Sequence, residues 1–236
     1  ILKPFLGGEN IRRYELIQPD AVLIIPYNLD DSSNHQIYPP NAMEQKYPKT
    51  WSYLKSCEKE LRAREKGKMD CDSWYGYVYP KNLDMFGTPR IIVRDIVECA
   101  SFALDPKGQF AFVSGYGITL KSSYSHLLCY VLGLLNSNLL NDYLKSVSTT
   151  LRGGWFRPFP QFMGQLPIKV PKTSEDKKLA EQISSSVETI IKTKIKVQNN
   201  KLSDRERERF EREIEANESR IDELVCELYG VDKIPD

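Results

Sequence analysis

The sequence is short of the side chains from which many catalytic and metal-binding sites are built. Only two of its 236 residues are histidine, His35 and His126. Most catalytic and metal-binding sites that are built from histidine are therefore not expected. The five cysteines are odd in number and contain no Cys-x-x-Cys pair. This pattern argues against a disulfide framework and a zinc site, and it favours reduced thiols in a cytoplasmic protein.

Other common signatures are also missing. No run of eighteen apolar residues occurs, so no membrane-spanning helix is expected. Neither Gly-x-Gly-x-x-Gly nor Gly-x-x-x-x-Gly-Lys-Ser/Thr occurs, and Gly7-Gly8 and Gly115-Tyr116-Gly117 are interpreted as turns. Ser114 lies outside a Gly-x-Ser-x-Gly motif, and Cys129 lies within an apolar helix. We therefore expect no catalytic site in this chain.

The chain opens on Ile1 with neither an initiator methionine nor a signal peptide. We therefore expect it to be a piece of a longer protein.

The composition that remains is typical of a folded, globular protein. Hydrophobic residues make up 41%, aromatic residues 11% and charged residues 28%, whereas disordered chains have fewer aromatic residues. The net charge of +1 conceals a division. Residues 1–172 carry 21 Lys and Arg against 16 Asp and Glu, and residues 173–236 carry 12 against 16. A basic body of charge +5 is therefore followed by an acidic segment of charge −4.

Periodicity in the body predicts a mixture of strands and helices. Residues 21–25 predict a buried strand, and apolar positions spaced by three and four predict a helix over about 50–66. A hairpin is expected from residues 101–104 and 109–113 around a turn at Asp105-Pro106-Lys107-Gly108. Further strands are predicted at 90–93 and 118–120, and further helices at 124–135 and 139–146.

The last quarter of the chain has a different pattern. Leu179, Ile183, Val187, Ile191 and Ile195 mark one helix face, and a turn is expected at Asn199-Asn200. Ser203 and Glu206 form a capping-box pattern that starts a second helix. Apolar residues repeat along one face of that helix in a heptad pattern, with one asparagine among them. A single asparagine in such a seam often fixes the register of helix pairing. The seam residues are Phe210, Ile214, Asn217, Ile221, Leu224 and Leu228.

These patterns predict an α+β fold that ends in a long antiparallel helical hairpin. We predict a body over residues 1–172 and the hairpin over residues 173–236. Two interpretations of the hairpin stay open at this point. It either packs on the body or serves as a spacer or pairing surface, through which the protein would dimerise or bind a partner helix.

One arrangement of acidic residues is compatible with a metal-dependent nuclease. Asp20, Glu44 and Lys46 have the spacing of two metal-binding carboxylates and a lysine that steadies the attacking water. Glu44 and Lys46 are flanked by prolines and by no run of β-branched residues, so we expect them on a loop. This makes the nuclease the weakest of the alternatives.

Cations interleaved with aromatic residues are the functional pattern that remains after these exclusions. Lysine and arginine neutralise DNA phosphates, and arginine, asparagine and glutamine read base edges. On composition alone, a nucleic-acid-binding domain and a protein-interaction module remain open. The candidate DNA contacts are Arg12, Arg13, Lys49, Arg62, Arg64, Lys81, Arg90, Arg94, Lys121, Arg152, Trp155 and Arg157.

The order of several short segments resembles a known family. Residues 6–14, Leu-Gly-Gly-Glu-Asn-Ile-Arg-Arg-Tyr, are similar to the opening of the TaqI-like C-terminal specificity domain, the target-recognition part of adenine-specific DNA methyltransferases and fused restriction–modification enzymes. The similarity continues in order over nearly the whole chain. It runs through Tyr47-Pro48-Lys49-Thr50, Gly87-Thr88-Pro89-Arg90-Ile91-Ile92, Phe102-Ala103-Leu104-Asp105, Leu134-Leu135-Asn136-Ser137, Arg152-Gly153-Gly154 and Leu166-Pro167-Ile168, and ends at residues 221–230.

This resemblance implies a sequence-specific reader of double-stranded DNA. It also implies a methyltransferase domain, with an Asn-Pro-Pro-Tyr/Phe motif and bound S-adenosylmethionine, on the N-terminal side in the same polypeptide. The present residues contain no such motif, so N6-adenine methylation and any DNA cleavage are expected outside them. No base-reading position can be transferred from the family, because such domains vary most where they touch bases. Asn10, where the family usually has Asp, is a minor departure.

Overall fold

The computed structural model describes residues 1–19, 21–29, 35–80, 83–199 and 201–232. These residues form two three-stranded sheets, two small hairpins, nine α-helices and four short 3-10 helices. The strands are β1 Leu2–Leu6, β2 Ile11–Arg12, β3 Glu15–Leu16, β4 Val22–Ile24, β5 Arg90–Arg94, β6 Ala103–Asp105, β7 Ala111–Phe112, β8 Gly115–Thr119, β9 Thr149–Thr150 and β10 Phe156–Arg157. The helices are α1 Pro40–Lys46, α2 Pro48–Ser56, α3 Glu58–Arg62, α4 Arg64–Gly67, α5 Leu128–Asn136, α6 Asn138–Val147, α7 Pro160–Met163, α8 Ser174–Asn199 and α9 Asp204–Tyr229.

The first sheet has the order β4-β1-β7. Strand β1 pairs antiparallel with β4 and parallel with β7. The predicted strand at residues 21–25 is therefore confirmed, but β4 lies at the sheet edge and Val22 is exposed. Five consecutive apolar residues do not distinguish an edge strand from a buried one.

The second sheet is antiparallel and has the order β6-β5-β8. The hairpin that the sequence predicts between residues 101–104 and 109–113 is wrong, because β6 pairs with β5 and β7 pairs with β1. The turn itself forms, since Gly108 N donates to the Asp105 carbonyl at 3.3 Å. A local turn signal thus identified the bend and not the partners of its strands.

The helix predicted over residues 50–66 is divided into three short helices, α2, α3 and α4. Its apolar positions pack with Trp74 and Tyr75 in a small aromatic core that includes Trp51 and Leu54. The helices are interrupted at Cys57 and Ala63, and Glu65, Lys66 and Gly67 within the short α4 have positive φ. Helix α5 also begins later than predicted, because residues 122–127 form a 3-10 helix before it.

The C-terminal helices form the predicted hairpin, and they pack on the body. Ser203 and Glu206 make the expected capping box at the start of α9. Ile183 and Val187 of α8 and Leu224 of α9 share one apolar core with Ile91 of β5. The boundary at residue 172 stays a prediction, although this shared core joins its two sides. Asn217 of the seam donates to the Glu213 carbonyl of its own helix.

Candidate nucleic-acid interface

The carboxyl ends of three strands meet at one edge of the body. Strands β1 and β7 are parallel, so Gly7-Gly8 and Val113-Ser114 follow them on the same side. Arg94 at the end of β5 pairs with Gly115, and Asp95 N donates to the Ser114 carbonyl at 3.4 Å. An added Cβ at Gly8 would lie 3.6 Å from Arg94 Cδ. We define the strand-end edge as residues 7–10, 94–97, 113–115 and 149–157.

The β9–β10 hairpin is fixed to this edge at its base. Val97 N donates to the Phe156 carbonyl at 3.0 Å, and Phe156 N donates back at 2.8 Å. Phe156 is fully buried, whereas the turn over residues 152–155 is exposed. Gly153 and Gly154 each have φ of +81°, a conformation that glycine adopts at little cost. A rigid base therefore presents an exposed turn that contains Arg152 and Trp155.

Three arginines of the strand-end edge have no carboxylate partner in the part of the chain that the structure describes. Among the described residues, no salt bridge or hydrogen bond engages the guanidinium of Arg94, Arg152 or Arg157. Arg157 lies over the Phe159 ring at 5.6 Å, and Phe159 meets Tyr116 edge to face at 5.9 Å. These positive charges are therefore available to an external anion or to base edges.

Tyr116 remains a neutral hydroxyl group beside these arginines. Burial raises the pKa of Tyr116, the charge of Asp95 raises it further, and Arg157 opposes both. Its hydroxyl can therefore donate as well as accept a hydrogen bond at neutral pH.

Arg90 does not belong to this interface, and the prediction that it contacts DNA is corrected. Its side chain is fully buried, and its Nε and Nη2 donate to Asp105 Oδ2 at 3.2 and 3.1 Å. Further bonds go to the carbonyls of Met85 and Phe110. Burial lowers the pKa of the guanidinium, and Asp105 opposes that shift. An arginine enclosed in this way cannot reach a phosphate.

Three other predicted contacts are arginines committed to partners within the chain. Arg64 donates to the carbonyls of Leu61, Trp74 and Gly76. Arg62 bonds to the carboxylates of Glu58 and Asp70 and to the Cys71 carbonyl. Arg13 bonds to Glu218 of α9. These contacts give each arginine a structural role and leave its role in DNA binding a prediction.

Among the described residues, no contact links the remaining predicted cations to the strand-end edge. Arg12, Lys49 and Lys121 are exposed. Lys121 follows β8 at its far end, because Arg90 pairs with Thr119. Lys81 lies outside the described residues.

The structure therefore brings together Arg94, Arg152, Trp155 and Arg157 from the predicted set, together with three residues that the sequence analysis did not select. These residues are Glu9, Tyr116 and Lys145. Lys145 Nζ lies 3.9 Å from the position that a Cβ atom on Gly154 would take. No local sequence pattern marks any of the three.

The structure describes two of the three residues of the nuclease interpretation, Glu44 and Lys46, and their positions do not support it. Glu44 and Lys46 lie on helix α1 and not on the expected loop. Glu44 bonds to Lys55 at 3.5 Å, and Lys46 lies over the Tyr38 ring. Asp20 lies outside the described residues. In the described ranges, no three His, Cys, Asp or Glu side chains are grouped as a metal site would require.

An apolar cavity of about 360 Å³ lies between β4, β7 and the segments 77–79 and 83–86. No carboxylate is among the described residues that line it, and the two charged side chains there, Arg64 and Arg90, are already bonded. The described lining thus lacks the carboxylate that holds the ribose hydroxyls in dinucleotide-binding sites. Within the described ranges, no helix has the length and apolar composition needed to cross a bilayer.

Comparison with known proteins identifies the family of this chain. Residues 3–168 match the TaqI-like C-terminal specificity domain. The chain belongs to this family. The specificity domain is 20% identical over 236 residues to the type II restriction enzyme and methyltransferase RM.Eco57I of Escherichia coli, covering 95% of this chain and 23% of that protein.

The fold of the specificity domain also occurs in a solved structure. The type IIL restriction-modification enzyme MmeI, determined in complex with DNA, matches with a TM-score of 0.63 and 13% sequence identity. The match covers 100% of this chain and 29% of the MmeI chain. The specificity domain thus spans less than a third of either relative, and its family supports a role in DNA recognition.

Proposed function

We propose that this specificity domain recognises a short sequence in double-stranded DNA for a restriction–modification enzyme. The observation that carries the proposal is the group of unpaired cations at the strand-end edge. Arg94, Arg152 and Arg157 have no anionic partner among the described residues, whereas Arg13, Arg62 and Arg90 are each paired with a carboxylate. An anionic polymer is the partner that such a surface suits.

The β9–β10 hairpin supports contact with a duplex in a second way. Its turn is exposed, and Trp155 retains 36% of its accessible surface. A rigid aromatic ring next to arginine can pack against sugars or bases while the cations bind phosphates. Rigid attachment through Phe156 lowers the entropy lost when the turn binds DNA.

We further propose that the recognised duplex is presented for N6 methylation of an adenine. The relatives include a protein named as both restriction enzyme and methyltransferase, which supports this part of the proposal. The methyl donor, S-adenosylmethionine, would be bound by a catalytic domain of the same polypeptide outside residues 1–236. That domain would take the adenine out of the helix, and the present residues would hold and orient the duplex. The proposed site of action is the cytoplasm.

The salt dependence of duplex binding tests the proposal. The logarithm of the association constant should fall linearly with the logarithm of salt concentration. Changing Arg152 and Arg157 together to alanine should lower that slope by roughly 0.9 for each phosphate that is no longer neutralised. The matched control changes Arg205 and Arg207 of α9 to alanine, which removes the same charge from the acidic hairpin.

The control separates a local interaction from a general effect of charge. Equal losses in both double variants would assign the effect to net charge. Binding to duplex DNA without any salt slope would instead favour the alternative function, a protein-interaction module that uses the hairpin.

A further inference from the structure

Arg94 has an unsatisfied donor at the strand-end edge. Its Nε atom is buried and has no hydrogen-bond partner among the described residues. Buried polar groups in native proteins usually have a partner, because an unpaired buried donor is unfavourable. The terminal Nη atoms of Arg94 are not buried in this way, so an acceptor from outside the chain can reach that end of the guanidinium.

Comparison with Arg90 shows that the missing hydrogen-bond partner is specific to position 94 and is not shared by both arginines of β5. Arg90 and Arg94 are four residues apart on β5, so both side chains project from the same face of the strand. Arg90 is bonded to Asp105 and to two carbonyls at one end of the strand. Arg94 lies at the other end, beside Gly8, and its guanidinium is left open.

The backbone under Arg94 is held firmly. Strand β5 is the central strand of its sheet, with β6 on one side and β8 on the other. Arg94 itself pairs with Gly115, and its side chain is half-buried. A side chain that is already restrained loses little entropy on binding, which suits selective recognition.

The neighbours of Arg94 favour a base edge over a phosphate. The Glu9 side chain folds back against Gly7, where an added Cβ would collide with its carboxylate. Gly8, the next residue, lies against Arg94, and Asp95 follows Arg94 in the chain, so two carboxylate-bearing residues are near neighbours of this arginine along the backbone. Carboxylates repel phosphate, whereas they accept hydrogen bonds from the amino group of cytosine. Arginine next to carboxylates therefore matches the mixed donors and acceptors of a G·C pair.

We propose that Arg94 is a specificity-determining residue that donates to O6 and N7 of a guanine in the recognised sequence. Arginine presents parallel donors in a planar fork, and guanine presents these two acceptors in the major groove. This inference rests on the proposed function, because it assigns one position of the recognised sequence to one side chain.

Selection of bound duplexes from a randomised pool tests the assignment. The full chain and its Arg94→Gln and Arg94→Lys variants are compared, and dissociation constants are then measured on the selected duplex and on its single-base variants. In Arg94→Gln, the preference for guanine should fall roughly 5- to 150-fold at one position and persist at the others. Arg94→Lys should retain part of the preference, since lysine keeps the charge without the fork.

Two results would overturn the assignment while leaving the proposed function intact. One is an unchanged selected sequence in Arg94→Gln. The other is an equal loss of affinity on every sequence, with the salt slope lowered by roughly 0.9, which would make Arg94 a phosphate contact. Failure of the unaltered chain to bind duplex DNA with a salt slope would instead reject the proposed function, and the assignment with it.

Thermal unfolding separates recognition from folding. Arg94→Met removes no internal partner, so its melting temperature should stay within about 2 °C of the unaltered chain. Arg90→Met is the matched control on the same strand and face, and it should lower the melting temperature strongly because it leaves Asp105 buried without its partner. Loss of folding in Arg94→Met would make Arg94 structural and overturn the proposal.

Discussion

Arg13 and Glu218 are 205 residues apart in the chain, yet Arg13 Nε lies 3.0 Å from Glu218 Oε1. Arg13 occupies the turn between β2 and β3, next to Tyr14, which has φ of +59° and is buried. The Tyr14 amide donates to the Phe102 carbonyl at 2.8 Å. The turn therefore inserts a tyrosine into the core and at the same time holds helix α9.

Removal of this ion pair should weaken the attachment of α9. Both side chains are about three-quarters buried, with exposures of 22% and 26%, so we expect Arg13→Met or Glu218→Gln to cost about 1–2 kcal/mol of unfolding free energy. A double-mutant cycle measured by urea denaturation isolates the coupling. The exposed pair Arg212–Glu208 is the control and should contribute only about 0.3–0.5 kcal/mol. Equal coupling energies for the two pairs would contradict the structural role of Arg13.

Gly133 allows helix α5 to approach α8 closely. A Cβ at this position would lie 2.5 Å from Ile183 Cγ2 and 3.1 Å from Val187 Cγ2. Alanine normally stabilises a helix interior relative to glycine by about 1 kcal/mol, but overpacking typically costs about 1–3 kcal/mol. We therefore expect Gly133→Ala to lower the unfolding free energy, as measured by denaturant titration. Adding Ile183→Val to that variant keeps Cγ2 and should give little relief, whereas adding Ile183→Ala removes the clashing methyl group and should make the extra carbon at position 133 tolerable.

Asp176 provides a prediction of pH dependence. It accepts from Lys169 Nζ at 2.8 Å and from the amides of Lys172 and Thr173, and the hydrogen bond from Lys169 is the main reason that the pKa of Asp176 is lowered to about 2. Because the folded pKa lies below the ordinary value of 3.8, the carboxylate stabilises the fold above that pH. This contribution should disappear as pH falls from about 4 to about 2.

The variant Asp176→Asn isolates this contribution from those of the other carboxyl groups. Its melting temperature should be lower than that of the unaltered chain at pH 7, and the difference should shrink between about pH 4 and about pH 2. Glu175→Gln, an exposed neighbour in the first turn of α8, is the control and should show a smaller difference. A difference that is constant over the whole range would contradict a role for the ionised carboxylate.

Local patterns were sufficient for the helical hairpin and insufficient for the sheets. The spacing of Ile183 and Val187 and the cap at Ser203 depend on neighbours within one or two turns, so the sequence predicts α8 and α9 closely. Strand β7, in contrast, pairs with β1 about a hundred residues earlier in the chain. Such a pairing depends on the packing of the whole body, which no short pattern encodes.

The sequence pattern selected candidate residues of the site, but it did not show which of their charges are available to a ligand. Arginines next to aromatic residues drew attention to Arg152, Trp155 and Arg157, whose contact with DNA stays a prediction. The structure joins their hairpin to the segment that follows β5 through the pairing of Val97 with Phe156. The same pattern could not distinguish Arg90 from Arg94, since only the fold places Asp105 beside the first and leaves the second open. Net charge is a property of composition, whereas the availability of a charge depends on its buried neighbours.

Gly153 and Gly154 should control DNA binding through backbone conformation alone. Both have φ of +81°, and an added Cβ would make no contact closer than 3.5 Å at Gly153 or 3.9 Å at Gly154. Valine at position 154 should therefore strain the turn by roughly 1–2 kcal/mol, displace Arg152 and Trp155, and weaken duplex binding by roughly 5- to 30-fold. Asparagine tolerates positive φ far better than valine, so Gly154→Asn should retain most of the affinity. Titration of a labelled duplex with both variants measures the difference, and equal affinities for the two would show that the conformation of this turn does not matter for binding.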